Sequence, residues 1–240
     1  CSVNHMLDRL ALSFDLQRQF AGNAAHELRT PLAMMQTKLE LFTEEHSDVD
    51  AETSKLVQFQ IDQVDRLTSL VRTLLEMSNL QSVSRSDEIE LAPLIDEILT
   101  DLTTLAEQKN ITLHQNCEDV HMIGSDTLIY RLLFNLIENA IKYNHSGGSV
   151  TVSMQQENQQ VLLHIADTGC GIPEEYRESI FQPFFRVDKS RSRQMGGVGL
   201  GLALVREIAV LHGGSVCVES GSKDGTTFAV KLPLNGEKTE

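Results

Sequence analysis

Residues 20–42 read FAGNAAHELRTPLAMMQTKLELF, from Phe20 to Phe42, and they set the architecture of the first third of the chain. Phe20, Ala24, Leu28, Leu32, Met35, Leu39 and Phe42 recur at steps of three and four, which predicts one amphipathic helix. The polar stretch Glu44–Glu52 predicts a turn. A second stripe follows in Val57, Ile61, Val64, Leu67, Val71 and Leu74. Residues 1–81 therefore predict two long helices in an antiparallel hairpin. Two helices with one apolar face each bury little, so a second copy is expected to close a four-helix bundle.

The same stretch carries the sharpest chemical signal, Ala25-His26-Glu27-Leu28-Arg29-Thr30-Pro31. At roughly 100° per residue, His26 lies about 160° from Leu28 and so off the apolar stripe. Thr30 follows one turn later on that polar face, and Glu27 flanks both. Pro31 falls inside the helix, where it removes a backbone hydrogen bond and favours a kink. His-Glu also opens the zinc-protease motif HExxH, but Thr30 stands where the second histidine belongs, which excludes that chemistry. A neutral imidazole is a competent nucleophile near neutral pH. A neighbouring carboxylate such as Glu27 can fix its tautomer and stabilise the charge that develops during attack.

After the hairpin, Gln81–Glu88 (QSVSRSDE) is polar and aperiodic and predicts a linker. Beyond it, strands are expected at 111–115, 149–155, 160–167, 215–220 and 226–232. Helices are expected at Pro93–Gln108, Ser125–Tyr143 and Gly201–His212. Helices on one face of a mixed sheet make an α/β sandwich.

Three clusters in this half point to a nucleotide. Asn135 and Asn139 are four apart on one helix face, as are Glu138 and Lys142. Carboxamide oxygens suit Mg²⁺, a metal that keeps waters and phosphate oxygens, and a lysine can meet phosphate. Ordinary helix-surface polarity is the competing reading. Asp167-Thr168-Gly169-Cys170-Gly171-Ile172-Pro173 follows the apolar run Val161–Ala166. An acid at a strand end, followed by glycines that admit a ring, suits a purine amino group; a plain turn is the alternative. Gly196-Gly197-Val198-Gly199-Leu200-Gly201 leads into a helix, where exposed backbone N–H groups can cradle phosphate. The basic run Arg186–Arg193 before it reads as a cationic lid.

The net charge of −14 argues against a nucleic-acid partner, which needs a basic face. The four cysteines form no CxxC pair, which speaks against zinc or a disulfide framework and for a reducing cytosol. No apolar run reaches the roughly 18 residues of a membrane helix. The helix-like start (Val3, Met6, Leu7, Leu10) suggests a fragment of something longer.

Together the motifs resemble the histidine kinases of two-component systems over nearly the whole chain. Residues 1–17 resemble the end of a HAMP signalling helix, 18–82 the dimerisation and phosphoacceptor domain, and 88–234 the ATP-binding domain of the GHKL superfamily. Asn135–Tyr143 matches the asparagine box, Asp167–Gly171 and Gly197–Gly201 the two glycine boxes, Phe181–Phe185 the phenylalanine box, and Gly225–Phe228 the last motif. Val198 replaces the commoner threonine, with loss of one hydroxyl contact to phosphate.

The resemblance implies ATP-dependent phosphorylation of His26, with Glu27 assisting, and transfer to an aspartate on the receiver domain of a response regulator. It implies Mg²⁺ on Asn139 with help from Asn135, and adenine read by Asp167. Lys142, Tyr143, Gly169, Gly171, Ile172, Phe184, Arg186, Gly197, Gly199, Leu200, Gly201 and Thr226 would line the nucleotide site. Thr30 would serve a phosphatase reaction toward the regulator. A homodimer is implied, as is a cytoplasmic location within a parent protein anchored in the cell membrane. Two rival readings are a GHKL ATPase or serine kinase that never phosphorylates itself, and a non-catalytic dimeric scaffold. His26 in its own hairpin speaks against the first, and Asn139, Asp167 and Gly199 against the second.

Overall fold

The computed structural model describes residues 2–46, 49–187, 199–222 and 225–235; the side chains of residues 2–21, 23, 26, 221 and 222 are left aside. The chain divides into two units near Gln81/Ser82.

In the first unit, helix α1 (Ser2–Glu45) runs through Pro31 without ending. Proline supplies no N–H, so the carbonyl of Glu27 lacks its intrahelical donor. Helix α2 (Ala51–Asn79) starts at Asp50, whose Oδ1 accepts the N–H groups of Glu52 and Thr53 at 2.9 Å each. Thr53 Oγ1 adds a 2.7 Å bond to Oδ2, and these bonds, the side-chain one foremost, lower the Asp50 pKa. Ala25, Leu32, Val64, Val71 and Leu75 form the buried seam between the helices, with Leu39 and Leu74 packed against it. Gly22 permits the close approach of α2: a Cβ there would come within 2.7 Å of Ser78 Oγ.

The expected stripe divides in two. Leu32 and Leu39 face the hairpin partner, but Leu28 and Met35 are 51% and 55% exposed. On α2, Leu67 is likewise exposed, beside Leu56 and Phe59. One helix covers only one flank of its neighbour, so the rest of a broad apolar stripe stays open within a single chain.

The second unit is a two-layer α/β fold. A five-stranded sheet has the order β2 (Thr112–Cys117), β4 (Ser149–Glu157), β5 (Gln160–Asp167), β7 (Gly225–Pro233), β6 (Ser215–Ser222). β2 runs parallel to β4 and the other neighbours are antiparallel, which makes the sheet mixed as expected. Helices α3 (Leu91–Gln108), α4 (Asp126–Lys142) and α5 (Gly201–Leu211) bury Ile95, Ile98, Leu132, Leu136, Val205 and Ile208. The sheet supplies alternate residues to this core: Val150 and Val152, Val161, Leu163 and Ile165, Val230 and Leu232.

A small antiparallel pair, β1 (Asp87–Glu90) with β3 (His121–Gly124), was not expected from the sequence. Asp87 and Glu88, the last residues of the predicted linker, belong to β1. Three of its four residues are acidic and only Ile89 is buried, so no period-two signal exists to read. The linker also begins in a short 3₁₀ turn, Leu80–Ser82.

Candidate functional site

Asp167 is the last residue of β5, paired with Val150 on one side and Thr226 on the other. Its Oδ1 accepts the backbone N–H groups of Gly169 (2.7 Å) and Thr226 (3.3 Å). Both donors fall on one oxygen, which leaves Oδ2 for a ligand. Burial pushes the Asp167 pKa up, and the two backbone bonds oppose that. The corner is tight. A Cβ at Gly169 would lie 2.5 Å from the Tyr143 carbonyl oxygen, and one at Gly225 would lie 1.9 Å from that of Asp167. Gly225 also takes φ +133°, beyond what a side chain tolerates.

This corner is tied to the end of α4. Thr168 Oγ1 donates to Asn144 Oδ1 (3.1 Å) and accepts the Ser149 N–H (2.9 Å). Asn144 Nδ2 donates to the Ser149 carbonyl (2.9 Å), and Cys170 N–H to that of Tyr143 (3.3 Å). Lys109 Nζ donates to the carbonyls of Ile141 and Lys142, capping α4; burial, and then Lys142, lower its pKa.

Asn135 and Asn139 lie one turn apart on α4, both half-buried. Asn135 Nδ2 donates to the Arg131 carbonyl at 2.7 Å, which turns its Oδ1 toward the start of α5. There a Cβ at Gly201 would come within 2.8 Å of that oxygen. Lys142 Nζ sits 2.9 Å from Glu138 Oε1, so it must exchange partners to meet a phosphate. Among the described residues, no three His, Cys, Asp or Glu side chains converge as a metal site. A cation held here would therefore rest on carboxamide oxygen and on phosphate.

Helix α5 opens at Leu200, which makes no side-chain capping bond, so the N-cap residue itself does not occupy the first N–H groups of the helix. Gly199 takes φ +79°, and its carbonyl accepts the Phe184 N–H at 2.7 Å. Phe184 itself sits at φ +64°, strained for an aromatic residue, with its ring 57% exposed. Phe181 packs edge-on against Phe228, whose neighbours Thr226 and Thr227 end the sheet beside Asp167. Gly171 takes φ +70°, Ile172 and Arg186 are half-buried, and Thr226 is buried. Asp167, Thr226 and Gly169 thus meet at the β5 corner, while Asn135 meets Gly201 at the start of α5. Gly197 and most of the cationic lid, Asp188–Arg193, lie outside the described residues.

In the hairpin, His26 belongs to α1, with its side chain outside the described set. Glu27 and Thr30 are both exposed on the same helix. Sequence reasoning did not find Asn144, Ser149 or Lys109 as supports of the corner, and none of the three carries a local signal. Gly225 enters it only as part of the last motif, not as a support of the corner.

Two family models match in tandem. Residues 16–83 match the His Kinase A (phospho-acceptor) domain, and residues 124–236 match the histidine kinase-, DNA gyrase B- and HSP90-like ATPase. The chain is similar to the sensor histidine kinase RppB of Synechocystis sp., with 36% identity over 92% of this chain and 50% of the relative. It is also similar to the signal transduction histidine-protein kinase ArlS of Staphylococcus aureus, with 35% identity over 95% of this chain and 51% of the relative. The chain therefore spans about half the length of the curated relatives it matches. Among solved structures, histidine kinase ThkA in complex with the response regulator protein TrrA aligns with a TM-score of 0.66 at 26% identity, covering 96% of this chain and 64% of that one.

Proposed function

The chain belongs to the histidine kinase family, and from that premise we propose that it phosphorylates His26 from ATP and passes the phosphoryl group to an aspartate on a response regulator. The observation that carries this reading is the Asp167 corner. A half-buried carboxylate with one oxygen held by two backbone donors presents the other to an amino group, beside glycines that admit a flat ring. The uncapped start of α5 offers backbone N–H groups to phosphate. Exposed Glu27 next to His26 suits a group that accepts the imidazole N–H and holds the ring's tautomer.

In the proposed step an imidazole nitrogen of His26 attacks the γ-phosphorus, the bond to the β-phosphate oxygen breaks, and ADP leaves. Glu27 holds the proton on the other ring nitrogen and stabilises the charge as attack proceeds. Asn139, with Asn135 beside it, suits Mg²⁺ because a neutral hard oxygen can complete a shell made mostly of phosphate and water. That ion would neutralise charge on the polyphosphate.

Thr30 serves a second reaction, orienting water against the regulator's acyl phosphate. We further assign residues 1–17 to the end of a signalling helix, 18–82 to a homodimeric phosphoacceptor domain and 88–234 to the ATP-binding domain. The parent is anchored in the cell membrane with this part in the cytoplasm. No helix among the described residues is long and apolar enough to cross a membrane.

The test is incubation with γ-labelled ATP, followed by mapping of the labelled residue. Acid-labile, base-stable label on His26 is the expected result. Label elsewhere, or none from a chain that binds ATP, would refute the proposal.

A further inference from the structure

The nucleotide site depends on how α4, which carries Asn135 and Asn139, sits against α5, which begins at the glycines. At the site end the two helices meet where Gly201 abuts Asn135 Oδ1. At the far end they meet through His212, the residue that caps the C-terminus of α5. Its Nδ1 lies 2.8 Å from the Ile208 carbonyl oxygen. A carbonyl cannot donate, so Nδ1 carries the proton and Nε2 is the bare acceptor. Nε2 accepts the backbone N–H of Ser125 at 3.1 Å.

Ser125 is the N-cap of α4, and its own side chain makes no capping bond. The next amide, Asp126 N–H, is taken by Asp87 Oδ2 of β1 at 3.2 Å. Two residues from outside α4 thus satisfy N–H groups that a helix leaves open at its start. The imidazole is only 3% exposed, and a Cβ on Gly124 would lie 3.0 Å from its Cδ2. Protonation would remove the acceptor and set a cation against the positive end of α4. Burial lowers the His212 pKa; the Ile208 carbonyl opposes that shift, and Arg85 adds to it.

We propose that His212 is a positioning residue of the nucleotide site: its neutral imidazole pins the N-terminus of α4 to the C-terminus of α5, and so fixes Asn135 and Asn139 against the glycines that open α5. The proposal rests on the ATP reading of that site. At its other end α4 is held to the sheet by Asn144, Thr168 and Ser149. Freed at the His212 end, the helix swings about that fixed end. Asn135 then shifts against Gly201, while Asp167 stays on β5.

Three variants separate this role from simple packing. His212→Gln places an amide oxygen near the Nε2 position and keeps the acceptor. His212→Asn keeps the local donor to Ile208 but cannot reach Ser125. Asp87→Ala removes the second bond from an exposed position, and it carries the same prediction if His212→Asn does not fold. The measurement is Mg-ATP affinity by titration, with adenosine affinity by ligand-observed NMR, on the whole chain well below its melting temperature. Loss of one hydrogen bond should weaken Mg-ATP binding roughly 3- to 10-fold in His212→Asn. Adenosine, which lacks phosphates, should bind within about twofold of wild type, and His212→Gln should restore Mg-ATP affinity. Equal loss of both ligands would mean general loosening and would overturn the proposal, as would unchanged Mg-ATP affinity in both His212→Asn and Asp87→Ala. If the wild-type chain binds no ATP at all, the reading of the site falls first and takes the proposal with it.

Discussion

In the sheet domain, Val161, Leu163 and Ile165 lie wholly out of solvent, whereas Leu28, Met35 and Phe59 of the hairpin are 51%, 55% and 56% exposed. Among the described residues of the sheet domain, three helices cover one face, and the central strands β4, β5 and β7 turn alternate residues into that core. Among the described residues, the hairpin's buried seam is Ala25–Leu32 against Val64–Val71–Leu75, while Leu28, Met35, Leu56, Phe59 and Leu67 stay exposed. The contrast assigns different dependences to the two regions. On the proposed function, nucleotide chemistry would belong to a unit with its own core, and the phosphoacceptor to a unit expected to need a second copy.

The largest expected effect tests whether the two chemistries are separable. His26→Gln should abolish autophosphorylation while ATP affinity stays within about twofold. Label above a tenth of the wild-type level would join what the comparison keeps apart. Next comes Glu27→Gln, which should slow single-turnover phosphorylation on the order of 10²–10⁴-fold, as removal of an acid–base group does. Equal rates would leave Glu27 as a surface charge.

A paired change, Leu28→Glu with Phe59→Glu, sharpens the contrast in burial. If those side chains are covered by a second copy, sedimentation should show self-association weakened roughly 100-fold or more, since each burial contributes about 1.5–3 kcal/mol. Mg-ATP affinity should not change. A wild-type chain that sediments as a monomer at all concentrations would sink the four-helix bundle.

Asp167→Asn should weaken ATP about 10- to 100-fold, through one lost hydrogen bond to a charged oxygen. Its stability effect has the opposite sign. The folded-state pKa of Asp167 is raised above 3.8, so the folded chain holds a proton that the unfolded chain has released. Ionisation therefore costs stability as pH rises from 3.8 through the folded pKa, and the loss persists at neutral pH. Asparagine can still accept from Gly169 and Thr226 without that cost. The ligand-free variant should melt no lower than wild type at pH 7, and a clear drop by calorimetry would contradict this.

The smallest effect is that of Thr30→Ala. Autophosphorylation and transfer should stay within a few-fold, while decay of a phosphorylated regulator slows. Equal acceleration by both proteins would reduce Thr30 to helix surface.

The amphipathic steps of Phe20–Phe42, the alternation in Val161–Ile165 and the order of the Asn135, Asp167 and Gly199 boxes were readable from the chain alone, because each is a local pattern with a fixed period or spacing. The helices and the five long strands fall within a few residues of their expected limits for that reason. What the sequence could not disclose is which partner each local feature meets. The β1–β3 pair joins a mostly acidic strand to a segment over thirty residues away, and no periodicity announces it. The split of the α1 stripe into a seam and an open flank follows from where α2 lies, not from the stripe itself. His212 reads in the sequence as one more residue at a helix end; only the packing of α5 on α4 brings its ring to Ser125, 87 positions away in the chain. Local periodicity decides elements, but hydrogen bonds between distant segments form only when the core has set their distance, and that is a tertiary property.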